Sequence, residues 1–146
     1  MKNIFLKTYI AALMLVIILS AACKKENLSG MRQTSFNTTF DLQLSEKILV
    51  TSVDRKLKVE LRSLNDNRCT DALPCEHAGN ATTRVFLSDP DNHIDAETNL
   101  CIGMCDEENK STDTASVTLD GKKYNLVLNK IFGSLDKKAE FQINTN

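Results

Sequence analysis

Apolar and polar residues alternate along most of this chain. In Lys56-Leu57-Lys58-Val59-Glu60-Leu61-Arg62 every second side chain is apolar and its neighbours are charged. Successive side chains of a strand point to opposite faces, so this stretch predicts a strand with one buried and one wet face. Phe36, Phe40, Leu42 and Leu44 share one parity and predict inward-facing strand positions from Thr34 onward. Ala81 to Leu87 predicts another strand, with Val85 and Leu87 inward and Arg84 outward, and Ala139 to Ile143 a last one through Phe141 and Ile143.

The clearest hairpin is Ser116 to Leu128, with Asp120-Gly121 at its tip. Asp-Gly supplies the positive φ values of a type I′ turn, whose twist matches antiparallel strands. A two-residue loop sets Val117 opposite Tyr124 and Ala115 opposite Leu126. No 3.6-residue periodicity follows the hydrophobic N-terminal stretch. The expected fold is therefore all-β, an antiparallel β-sandwich (Ig-like or barrel-like) with two disulfide-stapled loops, after an N-terminal signal helix. Two long connections interrupt the alternation: Leu64 to Gly79, and the strongly polar Ser88 to Asp113.

The first residues give an address. Lys2 and Lys7 precede an uncharged, mostly apolar run of 14 residues, Tyr9 to Ala22. A spanning helix needs about 20 such residues, so the run fits a secretory signal better than a permanent anchor. It closes on Leu19-Ser20-Ala21-Ala22-Cys23, a bacterial lipobox. Residues 1–22 are expected to be a cleaved lipoprotein signal peptide, 23–33 a flexible tether and 34–146 the sandwich domain. Cys23 is then the lipidated residue and holds the protein to a membrane. Several acyl chains are needed to hold firmly, at about 0.8 kcal/mol per buried CH₂. Lys24, in place of an acidic residue after the cysteine, points to the outer membrane and leaves the leaflet open.

That assignment changes the meaning of the other cysteines. Of the 5 in the chain, lipidation accounts for the odd one. Cys69, Cys75, Cys101 and Cys105 remain in an oxidising compartment, where they are expected as disulfides. Local pairing, Cys69–Cys75 with Cys101–Cys105, closes the shortest loops; crossed pairing would tie the two segments together, and sequence leaves both open.

Charge excludes one class of partner. Without Lys2 and Lys7 the chain carries 16 basic and 19 acidic side chains, and no basic stripe of the kind nucleic acid requires. Asp66 and Arg68 flank the stapled loop, just before its first cysteine, and are suited to binding a carboxylate or to pairing with each other. His77 lies just after the second.

Asp66, Arg68, Cys69, Cys75, Ala78, Gly79 and Ala81 together resemble a segment of small exported bacterial lipoproteins of unassigned function. Those proteins carry Asp-x-Arg-Cys-Pro, a second cysteine, and x-Trp-Ala-Gly-x-Ala leading into a strand. Here Thr70 stands in place of the Pro and His77 in place of the Trp. The resemblance implies a β-sandwich with a disulfide-closed loop and implies no reaction.

Metal ligation is a weaker reading. His77, His93 and the cysteines match no zinc spacing, and oxidised cysteines are not thiolate ligands. Asp89, Asp91, Asp95 and Glu97 place four carboxylates on one stretch, but Ile94 and Leu100 stand where an EF-hand needs Gly and Glu. The expectation is a non-enzymatic, lipid-anchored envelope module without cofactor, binding an envelope protein or glycan through Asp66, Arg68 and His77. The alternative is a small metal-dependent hydrolase using the acidic segment 89–97.

Overall fold

The computed structural model describes residues 28–69, 79–133 and 135–145. The expected signal peptide, Cys23, Cys75 and His77 lie outside the described residues. The strands are β1 (Arg32–Ser35), β2 (Thr39–Gln43), β3 (Lys47–Thr51), β4 (Lys56–Asp66), β5 (Asn80–Asp89), β6 (Ile94–Cys105), β7 (Glu108–Lys110), β8 (Asp113–Leu119), β9 (Lys122–Phe132) and β10 (Lys138–Thr145). No helix occurs among the described residues.

The strands form two sheets. One has the order β1-β3-β4-β5-β6-β7, the other β2-β10-β9-β8. The pairings are antiparallel, except that β1 runs parallel to β3. The sheets meet through the apolar parity of their strands. Leu57, Val59, Leu61, Val85, Leu87 and Leu100 of the larger sheet share one core with Leu42, Leu126, Leu128, Phe141 and Ile143 of the smaller. Phe40 lies against Phe141, ring centroids 6.1 Å apart, and Phe36 stacks on Tyr124 at 5.9 Å.

Outward residues of the larger sheet make a polar ladder. The Arg62 guanidinium lies 3.7 Å from the Phe86 ring centroid, and Glu97 faces both Arg62 and Arg84 at 3.5 and 3.2 Å. Alternation is thus the physical basis of the fold: one parity fills the core and the other is solvated.

The expected all-β architecture is the observed one. In the tip hairpin Val117 pairs with Tyr124 and Ala115 with Leu126. Asp120 and Gly121 adopt φ values of 47° and 69°, as a type I′ turn requires. Four expectations need correction. Leu44 is 57% exposed, because β2 ends at Gln43 and the chain turns at Ser45, with φ of 65°, which breaks the parity. Arg32 and Gln33, expected in the tether, belong to β1. Leu64, expected to open a long connection, lies within β4, which continues to Asp66. Ser88 to Asp113 is not a long connection either. Its residues form the end of β5, all of β6 and β7, and a four-residue turn, Pro90 to His93.

Candidate functional site

β4 ends, β5 begins and β6 turns at one end of the larger sheet. Up to Gly103, β6 pairs with β5; from Gly103 onward it pairs with β7. At this switch of partner the strand bends, with Gly103 at a positive φ of 86°. The bend brings the Cα atoms of Cys101 and Cys105 to 6.1 Å, where a disulfide joins them. Two such residues in a straight strand would stand roughly 13 Å apart. Asp106 and Glu107, both at positive φ, close the hairpin into β7. The Cys101–Cys105 bond excludes both crossed connectivities. Cys69 is also disulfide-bonded.

Asp66 and Arg68 pair with each other. Arg68 Nε and Nη2 donate to the two carboxylate oxygens of Asp66 at 2.8 and 3.0 Å, and the Arg68 backbone N–H adds a third bond at 3.2 Å. Nη2 also donates to the Ile131 carbonyl at 2.7 Å, which joins the larger sheet to the smaller one. The Lys137 ammonium donates to the Asp66 carbonyl at 3.1 Å. The Arg68 hydrogen bond holds the Asp66 carboxyl below the usual carboxylate range, outweighing partial burial. The fork-on-carboxylate geometry is the strong form of this pair.

The two cysteine segments meet here. Gly79 offers its carbonyl to the Met104 N–H at 3.2 Å, and Asn67 N–H donates to Asn80 O at 2.9 Å. Packing is close enough that a Cβ on Gly79 would lie 1.8 Å from the Asn67 carbonyl oxygen. A Cβ on Gly103 would lie 2.6 Å from the Gly79 oxygen and 3.3 Å from Arg68 Cδ. Gly79 is what permits this close approach.

No family model, curated protein or solved structure matches the chain.

Beside the Cys101–Cys105 bond, the outward face of β5 and β6 forms a hollow of about 420 Å³. Thr82, Arg84, Asn99, Lys110, Asp106 and Asp113 contribute to its walls. Asp113 is fixed there by the Cys101 N–H at 2.9 Å and by Lys110 at 3.9 Å. Thr83 lines the same hollow, and its buried hydroxyl has no hydrogen-bond partner among the described residues. Sequence reasoning missed this site because Asn99, Asp106, Lys110 and Asp113 fall in the stretch read as a connection, although Thr82 and Arg84 lie on a strand it foresaw. The alternation of Ala96, Thr98, Leu100 and Ile102 was the available signal.

The acidic segment does other work. Asp89 is buried and accepts the Asp91 and Asn92 N–H groups at 2.9 and 3.1 Å, shaping the turn into β6. Burial pushes its carboxyl up, but these bonds and the Asn92 amide outweigh it and hold it low. Glu97 is engaged by two arginines, and Asp91 and Asp95 are exposed. His93 sits in the turn at φ of 55°. No group of three or more His, Cys, Asp or Glu able to hold a metal exists among the described residues.

Proposed function

We propose that this protein is an exported lipoprotein, tethered through Cys23, that serves as a binding module of the bacterial envelope. One observation carries the reading: two cysteine-bearing segments, distant in sequence, are locked together through Gly79, Met104, Gly103 and Arg68. Recognition surfaces are commonly irregular segments held by a rigid sandwich. The polar hollow next to them supplies both donors and acceptors, which suits a hydroxyl-rich glycan or a polar protein loop. The Asp66–Arg68 pair supports the surface from beneath, since its charges already satisfy one another. The lipobox and the oxidised cysteines support an envelope location.

Capture of envelope partners by the full-length lipoprotein, crosslinked in its membrane, tests the reading. The double variant Arg84→Glu, Lys110→Glu is expected to lose at least about tenfold of the recovered partner, since each reversed charge at a binding surface removes roughly 1 kcal/mol or more. Val53→Glu, at the opposite end, is expected to change nothing. Equal recovery by all three chains overturns the assignment of the hollow.

A further inference from the structure

We propose that the outward face of the smaller sheet docks a neutral, hydroxyl-rich polysaccharide. The proposal stands on this face alone and does not depend on the polar hollow beside the disulfide. Strand register lays the face out. Thr39 of β2, Gln142 of β10, Val127 of β9 and Thr114 of β8 pair in turn across the sheet. Two residues along each strand, Asn144, Asn125 and Ser116 make a second row. Both rows point away from the core, because the intervening Phe40, Phe141, Ile143, Leu126 and Leu128 are buried in it. With strands about 4.8 Å apart, the longer row spans roughly 14 Å.

Neither row carries a charge, although 25% of the chain is charged. On one side the bordering charges satisfy one another, Lys130 with Glu140 at 3.2 Å and Lys138 with Asp41 at 3.1 Å. Lys123, opposite Thr118, marks the other border. The outward face of the larger sheet is the reverse, with Arg62, Arg84, Glu60 and Glu97 in contact.

This composition selects the occupant. Nucleic acid and anionic headgroups need basic side chains, which the rows lack. A protein partner or a second copy is anchored by Trp, Tyr, Arg or an apolar cluster, and Val127 is the one apolar residue of the two rows. What remains is hydroxyls and amides, which donate and accept as sugar hydroxyls do. They are held in place beforehand: Ser116 Oγ donates to Asn125 Oδ1 at 2.7 Å, and Gln142 Nε2 to Asn144 Oδ1 at 2.9 Å. Such preorganisation lowers the entropy lost on binding. Val127, half-buried among them, gives the C–H face of a pyranose ring an apolar contact.

The test follows amide resonances of the full chain in dodecylphosphocholine micelles, which carry no sugar. The probes are maltotetraose, cellotetraose, mannotetraose and chitotetraose, with tetragalacturonate as the charged counterpart. At least one neutral probe is expected to shift the side-chain amides of Asn125, Gln142 and Asn144, equally in low and high salt. Gln142→Glu with Asn144→Asp is expected to weaken that binding about tenfold, the effect of roughly two lost hydrogen bonds. Thr114→Ala with Ser116→Ala, both exposed, is expected to weaken it about threefold, and an unchanged near-ultraviolet signal of Tyr124 confirms that each variant is folded. Arg84→Glu with Lys110→Glu, in the hollow, is expected to bind as the parent does. No shift with any neutral probe overturns the proposal. Shifts confined to Thr82 and Asn99 also overturn it and leave the hollow as the glycan's site. Preference for tetragalacturonate, or loss of binding in high salt, overturns it because the contacts are then ionic. Shifts on this face that follow protein concentration without sugar overturn it in favour of a second copy.

Discussion

At Arg68 one guanidinium joins the end of β4, its own loop and the smaller sheet, through Asp66 and the Ile131 carbonyl. Removing it leaves a largely buried carboxylate and a carbonyl without their donor. Arg68→Ala is therefore expected to destabilise the fold by about 2 kcal/mol, read from the denaturant midpoint at neutral pH. The partner carboxyl carries a pH signature. Its folded-state pKa lies below the ordinary 3.8, so the pair stabilises the protein above that value and ceases to do so as pH falls through the folded pKa. Asp66→Asn is expected to be less stable than the parent at neutral pH, with the difference shrinking in acid. A gap that stays constant down to pH values well below 3.8 would contradict the assignment. Asp41 and Asp89, both also held low, keep some acid sensitivity in the variant. Sequence placed Asp66 and Arg68 next to each other but left open whether they faced a ligand. The choice was made by Ile131, 63 residues away, whose carbonyl draws the guanidinium inward.

Alternation is a local property, and it identified the elements in which each inward residue is apolar and each outward one charged. β4 and the β8–β9 hairpin are of that kind. β3 escaped because Ile48-Leu49-Val50 is buried on both faces and shows no period. β6 escaped for a different reason: the apolar parity of its first half is thin, Ile94, Ala96 and Thr98 among Asp95, Glu97 and Asn99, and pairing with β5 completes it as a strand. Gly103 then bends β6, and the Cys101–Cys105 bond holds the bend. The double variant Cys101→Ala, Cys105→Ala removes a five-residue closed loop, which chain entropy values at about 2 kcal/mol. Hydrogen exchange separates this from a general loss. The Met104 amide, bonded to Gly79 O, is expected to lose protection first, while amides in the middle of β5 exchange only with global unfolding. Uniform loss of protection across β5 and β6 would show that the bond holds the whole sheet, not the turn.

The two sheets have a single core, so the molecule has no part that can melt alone at its centre. Phe141 is fully buried in β10, touches Phe40 of β2, and faces side chains from the larger sheet within the same cluster. Phe141→Ala leaves a cavity between the sheets and is expected to cost about 4 kcal/mol. The informative point is how that loss is distributed. Tyr124, fully buried on β9 of the smaller sheet, reports packing there through its near-ultraviolet signal. Exchange of β5 amides reports the larger sheet. A cooperative two-layer fold predicts that both probes shift by the same free energy, since neither sheet keeps a buried face once the other is lost. A larger shift at Tyr124 than at β5 would mean that the six-stranded sheet holds some structure of its own. That outcome would relocate the rigid support of the cysteine end from the sandwich as a whole to β4, β5 and β6.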